Sequence, residues 1–144
     1  MNHDLKVSKS ILISAPVGRV WEVLTKPEII KEYLYGTNTI TDWKPGSSIV
    51  FQGEYNGQTY RDHGEIIENS LHELISYSYW SGFSGLEDTP DNYSKISYLL
   101  ETMNDNHTKL TWTQEGFSNE EGQKHSEAGM DDFLKQIRSI AEKD

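Results

Sequence analysis

The hydrophobic period of this chain changes twice, and that order constrains its fold more than any motif does. Val17, Val20, Trp21 and Leu24 fall at i, i+3, i+4 and i+7, one apolar stripe of a helix. From Thr37 to Phe117 the period becomes two, the signature of strands. Met130, Phe133, Leu134, Ile137, Ile140 and Ala141 then return to helical spacing. Short helices, a long β-patterned stretch and one closing amphipathic helix describe an α+β chain with helices packed on one face of a sheet. A curved sheet wrapped around a closing helix leaves a space between them that a small apolar molecule could enter.

The punctuation divides the elements. Lys6 to Ser14 has a first-strand pattern, and Pro16 opens a helix where its missing N–H costs nothing. Thr25 and Glu28 have capping-box spacing around Pro27, so a second helix starts there, with Ile29, Ile30, Tyr33 and Leu34 as its buried side and Gly36 as its end. Ile40 and Trp43 fit a strand stopped by Pro45-Gly46. Asn56-Gly57 predicts a two-residue hairpin between Ile49–Tyr55 and Thr59–Glu68. Asn69-Ser70 turns the chain into a strand over 72–81, and a Gly-, Pro- and Asp-rich loop runs over 82–92. A last hairpin turns at Asn104-Asp105-Asn106, and short turns between successive strands imply an antiparallel meander. Ser118 and Glu121 form a second capping box before the closing helix. With no linker, repeat or low-complexity segment, residues 1–144 form a single domain in this reading.

Charge and composition exclude several functions. Thirteen Lys and Arg against twenty-three Asp and Glu leave a formal charge of −10. Without a basic cluster, such a chain repels phosphate backbones and anionic membranes, so neither nucleic acid nor membrane is an expected partner. There is no cysteine, which rules out disulfides and thiolate chemistry. The polar start, Met1 to Lys9, and the absence of any apolar run near ~20 residues point to a cytoplasmic protein.

The run Ile13-Ser14-Ala15-Pro16, with Val20-Trp21, Leu24-Thr25 and Pro27 after it, resembles the opening of the START/Bet v 1-like (SRPBCC) superfamily. Its narrower resemblance is to the branch named for the activator of the heat-shock-protein-90 ATPase. Gly64-Glu65-Ile66, Thr108-x-Leu110-x-Trp112, Gly116-Phe117 and Gly129 stand where that branch has its motifs, over roughly residues 10–141. The resemblance implies a helix-grip fold with a hydrophobic cavity between the long helix and the concave sheet. Two departures matter. Met130 replaces the Trp that usually follows the helix glycine, and the chain has no room for the extra N-terminal domain of the eukaryotic chaperone activator.

Candidate binding residues come from the inward faces of the strands: Phe51; Tyr98 and Leu100; Trp112 and Gln114; with Met130 and Phe133 from the closing helix. Over 72–81 two registers compete. Hydrophobicity buries Ile75, Tyr77 and Tyr79, whereas the family register turns Leu74, Ser76, Ser78 and Trp80 inward, and a one-residue slip exchanges the sets. The second is preferred here because serines on a concave face leave room for a ligand, which adds Ser78 and Trp80 to the site. Apolar walls with a few polar tips describe a ligand pocket, although each ring would also be worth burying in a filled core.

Nothing argues for catalysis. Arg61, His63 and Glu65 share one face of their strand, but if Gly64 and Ile66 face inward that trio is a solvated charge ladder. Asp131 and Asp132 diverge by about 100° on a helix and cannot act as a pair. The five histidines lack metal spacing, and no metal or cofactor is expected. The leading expectation is a small-molecule binder that encloses an apolar or aromatic compound, with the 82–92 loop as its lid. A protein-interaction module, such as a chaperone cofactor with Tyr77 and Tyr79 exposed, is the alternative. A cavity enzyme, hydrolase or cyclase, is the third.

Overall fold

The computed structural model describes residues 1–143. Strand β1 (Asn2–Ile13) is followed by helices α1 (Val17–Thr25) and α2 (Pro27–Tyr33). Six strands come next: β2 (Asn38–Ile40), β3 (Ser48–Tyr55), β4 (Gln58–Ser70), β5 (Leu74–Tyr79), β6 (Ser94–Asn104) and β7 (His107–Phe117). Helix α3 (Glu120–Ala141) closes the chain. The α+β expectation holds. All seven strands form one antiparallel sheet in the order β1-β7-β6-β5-β4-β3-β2. The expected meander is therefore β2 to β7, and β1 lies beside the last strand of the sheet, a pairing no local pattern could specify.

Local chemistry explains most boundaries. Asn56 and Gly57 both have positive φ, 50° and 80°, the geometry a two-residue turn needs to match strand twist. They place Tyr55 opposite Gln58. The expected capping box at Thr25 does not form. Thr25 is the last residue of α1 and its hydroxyl donates back to the Trp21 carbonyl at 2.7 Å, so Lys26 precedes α2 without a side-chain bond and Pro27 alone opens it. The cap of α3 sits one residue later than Ser118: Asn119 Oδ1 accepts the Gly122 N–H at 2.9 Å. Trp43 is not in a strand. Pairing stops at Ile40, and Trp43 has a φ of 65° with its carbonyl taken by the Asn69 amide at 3.0 Å.

One face of the sheet packs against the helices. Ile13, Ile49, Ile66, Ile75 and Leu110 from the strands meet Val20 and Val23 of α1 and Leu134 and Ile137 of α3, all essentially without solvent exposure. Opposed residues of antiparallel strands share a face, and here Ile75 pairs with Tyr98 and Tyr77 with Ile96. That register is the hydrophobic one, not the preferred alternative: Ile75 and Tyr77 are buried at 1% and 8% exposure. Ser78 and Trp80 project from the other face. The opposite surface of β1 and β7 carries paired hydroxyls, Ser8 with Thr113 at 3.1 Å and Ser10 with Thr111 at 2.8 Å.

Candidate functional site

Helix α3 is buried only along its second half, at Leu134, Ile137 and Ala141. At its middle, Met130 and Phe133 stand over the sheet half-buried, and between them and the strands lies a pocket of ≈ 380 Å³. Phe51 of β3, Tyr77 of β5, Ile96 and Tyr98 of β6 and Trp112 of β7 form its floor. The turn after α2 contributes Leu34, Tyr35 and Thr37. Tyr35, 85% exposed, marks the rim. Rings pack around the hollow: Phe51 lies tilted 5.6 Å from Tyr77 and edge to face 5.8 Å from Tyr79, and Tyr33 lies edge to face 5.6 Å from Phe133.

The polar groups of the wall are few and specific. Tyr60 and Asp62 of β4 and Tyr79 of β5 stand together on one side. Tyr79 donates its phenolic proton to Asp62 Oδ2 at 2.8 Å. Asp62 is 7% exposed, and its other oxygen, Oδ1, is buried without a hydrogen-bond partner. Tyr60 and Thr37 bond to each other through their hydroxyls. Burial, and then the adjacent Asp62 charge, pushes the Tyr79 phenol above its ordinary range; burial does the same for Tyr77 and Tyr98. At neutral pH these phenols keep their protons. They can donate and accept hydrogen bonds but cannot serve as bases.

Of the residues expected at the site, Phe51, Tyr98, Trp112, Met130 and Phe133 line the pocket. Four do not. Leu100 is on the Tyr98 face but is packed in the core at 4% exposure. The Gln114 amide donates to its neighbour, the Gly116 carbonyl, at 3.0 Å. Ser78 and Trp80 are on the far face because β5 follows the hydrophobic register: Ser78 Oγ accepts the Glu65 N–H at 3.0 Å, and Trp80 Nε1 donates to the Leu86 carbonyl at 3.2 Å. Tyr77 and Tyr79, expected outside in the interaction reading, are pocket residues. Tyr60 and Asp62 were missed, although the period-two count from Ile66 and Gly64 reaches both.

The 82–92 loop does not cover this pocket. It folds as two single-turn 3-10 helices, Gly82–Ser84, whose Phe83 ring packs 5.9 Å from Tyr60 of β4, and Pro90–Asn92. His63 holds it there: Nε2 lies 3.0 Å from Asp88, Nδ1 3.2 Å from the Tyr93 hydroxyl, and its ring packs 5.4 Å from Trp80. His63 is thus an anchor and not a rung of a charge ladder. Arg61 and Glu65 are exposed on the same outer side. A wider depression of ≈ 690 Å³ beside the β3–β4 hairpin is lined by Gly57, Gln58, Thr59, Arg61 and Phe83 among others. Its wall is mainly polar, whereas the smaller pocket is walled mainly by aromatic and aliphatic side chains, the usual lining of a ligand site. Among the described residues, no group of three His, Asp or Glu is placed to hold a metal, and no helix is long and apolar enough to cross a membrane.

Comparison with known proteins agrees with this fold. The family model described as Activator of Hsp90 ATPase homolog 1-like protein matches residues 14–142. No curated protein matches the sequence. Protein ChR145 of Cytophaga hutchinsonii is 36% identical, with 99% of this chain and 97% of that chain covered and a TM-score of 0.84. CV1439 of Chromobacterium violaceum is 21% identical, with 97% and 99% covered and a TM-score of 0.77. PFC0360w, an HSP90 activator from Plasmodium falciparum, is 18% identical, with 94% and 95% covered and a TM-score of 0.73. The last two share the helix-grip fold.

Proposed function

The chain belongs to the Activator of Hsp90 ATPase homolog 1-like family of the START/Bet v 1-like superfamily, and from that premise we propose that it is a one-domain cytoplasmic protein that binds an apolar or aromatic small molecule beneath α3. One observation carries the reading: the ≈ 380 Å³ hollow has a floor of aromatic rings and a few fixed polar groups. That volume falls in the ~300–1,000 Å³ range of small-molecule sites. Each apolar Å² removed from water contributes about 25 cal/mol, and the hydroxyls and the carboxylate supply selectivity.

The test is stoichiometric uptake of an environment-sensitive apolar dye by the native protein. Trp112 is a poor probe of it, because at 4% exposure it is a core residue whose truncation costs ~3–5 kcal/mol. Met130 and Phe133, half-buried at the pocket, are better. Met130→Trp, which restores the residue the family usually carries there, fills part of the hollow and should weaken uptake while the fold persists. Dye uptake undiminished in that variant would refute the site.

The chaperone reading has the family label in its support, and the likeness to the Plasmodium falciparum activator extends to the fold. Its expected contact surface, Tyr77 and Tyr79, is turned inward. Stimulation of the host chaperone's ATPase by the purified protein would revive it.

A further inference from the structure

A carboxyl group sits in the aromatic wall with one of its two oxygens unpartnered. Asp62 Oδ2 accepts the Tyr79 proton, while Oδ1 is shielded from solvent and has no partner. Buried acceptors are almost always bonded, and a buried charge is costly unless it is paired. No ion pair among the described residues includes Asp62. The pocket lining contains no Lys, Arg or His. Tyr60 and Thr37, two other polar residues of that wall, are bonded to each other. The protein therefore places a carboxyl group in the wall with no cation of its own beside it.

The surroundings specify what kind of cation. Phe51, Tyr77, Tyr79 and Trp112 present ring surfaces to the same hollow, and aromatic faces attract organic ammonium groups. A hydrated metal ion finds one carboxylate and an apolar wall, which is a poor set of ligands. The formal charge of −10 raises the concentration of cations near the surface and lowers that of anions. Resting on the small-molecule reading above, we infer that the pocket takes a protonated amine carried on an apolar or aromatic body, with its ammonium paired to the Asp62 carboxylate. The body fills the space beneath Met130 and Phe133. A carboxylate or phosphate ligand is disfavoured because the pocket has no cation to receive it.

Three ring-matched probes test this on the full chain: naphthylmethylamine, naphthylmethanol and naphthoate, each competing with the apolar dye at neutral pH. The amine should bind about tenfold more tightly than the alcohol, since a charge-assisted bond replaces a neutral one. Naphthoate should bind most weakly. In Asp62→Asn, which keeps the shape and an acceptor for Tyr79, amine and alcohol should come within about twofold of each other. Equal or tighter binding of the alcohol or the naphthoate by the native protein overturns the inference. So does an amine preference that survives Asp62→Asn. If that variant does not fold, the native comparison of amine with alcohol decides alone. Should the dye bind while the amine shows no preference, only this inference falls; should neither dye nor probes bind, the small-molecule reading falls with it.

Discussion

Replacing Gly64 with alanine places a methyl group where a carbonyl already stands. A Cβ at that position would lie 1.6 Å from the Ser78 carbonyl oxygen and 2.4 Å from its carbon. Both are backbone atoms, so no rotamer change relieves the clash. Relief requires β4 and β5 to separate where His63 and Trp80 exchange hydrogen bonds of 2.8 and 3.0 Å and the Glu65 N–H meets Ser78 Oγ at 3.0 Å. Loss of those three bonds at about 1 kcal/mol each, with overpacking of ~1–3 kcal/mol, gives a destabilisation of about 4–6 kcal/mol. A domain of this size is stable by about 5–15 kcal/mol, so the variant should be near its limit, with Tm lowered by roughly 10–20 °C. Urea unfolding followed by tryptophan fluorescence measures it. A loss below about 1 kcal/mol would show that the strands are not held together at Gly64 as described.

Gly129→Ala is the opposite case: its Cβ would meet nothing within 4 Å, and inside α3 it should stabilise the protein by about 1 kcal/mol, so a destabilised variant in the same urea assay contradicts the open surroundings. Asn119→Ala should lose about 1 kcal/mol with the α3 cap, whereas Ser118→Ala should stay within about 0.5 kcal/mol; the reverse order would restore Ser118 as the cap. Alkaline stability should fall in step with the tyrosines. Tyr93 is pushed up to about 12 by burial and then by its hydrogen bond to Asp88 and the Asp88 charge. Its folded value exceeds the unfolded value of about 10, so its contribution is complete below pH ~10 and disappears as pH rises through the folded value. Tyr33, Tyr77, Tyr79 and Tyr98 are raised in the same direction, chiefly by burial. Native-state tyrosinate absorbance should show these five ionising late, and a single early step for all tyrosines would refute that environment.

Much of the fold was legible because its signals are local. Asn56-Gly57 encodes its turn by the two positive φ values that Asn and Gly tolerate best, and the Met130–Ala141 spacing encodes α3 without reference to the rest of the chain. What failed depended on partners distant in sequence. The face of β5 was decided by pairing with Ile96 and Tyr98, so Ser78 and Trp80 were misplaced and Tyr77 and Tyr79 were undervalued. Gln114 has inward spacing, yet its amide turned back to Gly116. The 82–92 loop contributes no residue to the pocket lining, and nothing in its composition reveals that His63 and Tyr93 tether Asp88. Asp62 escaped notice for a different reason: an acidic residue between Arg61 and His63 resembles any surface strand until burial is known.

The central claim is occupancy of the hollow beneath α3, and intermolecular nuclear Overhauser effects between isotope-labelled protein and a bound apolar probe measure it most directly. Cross-peaks should connect the probe to the Met130 methyl, the Phe133 ring and Ile96, all lining residues. Contacts confined to the exposed Leu12, Leu99 and Met103, or no contacts at saturating probe, would contradict the claim.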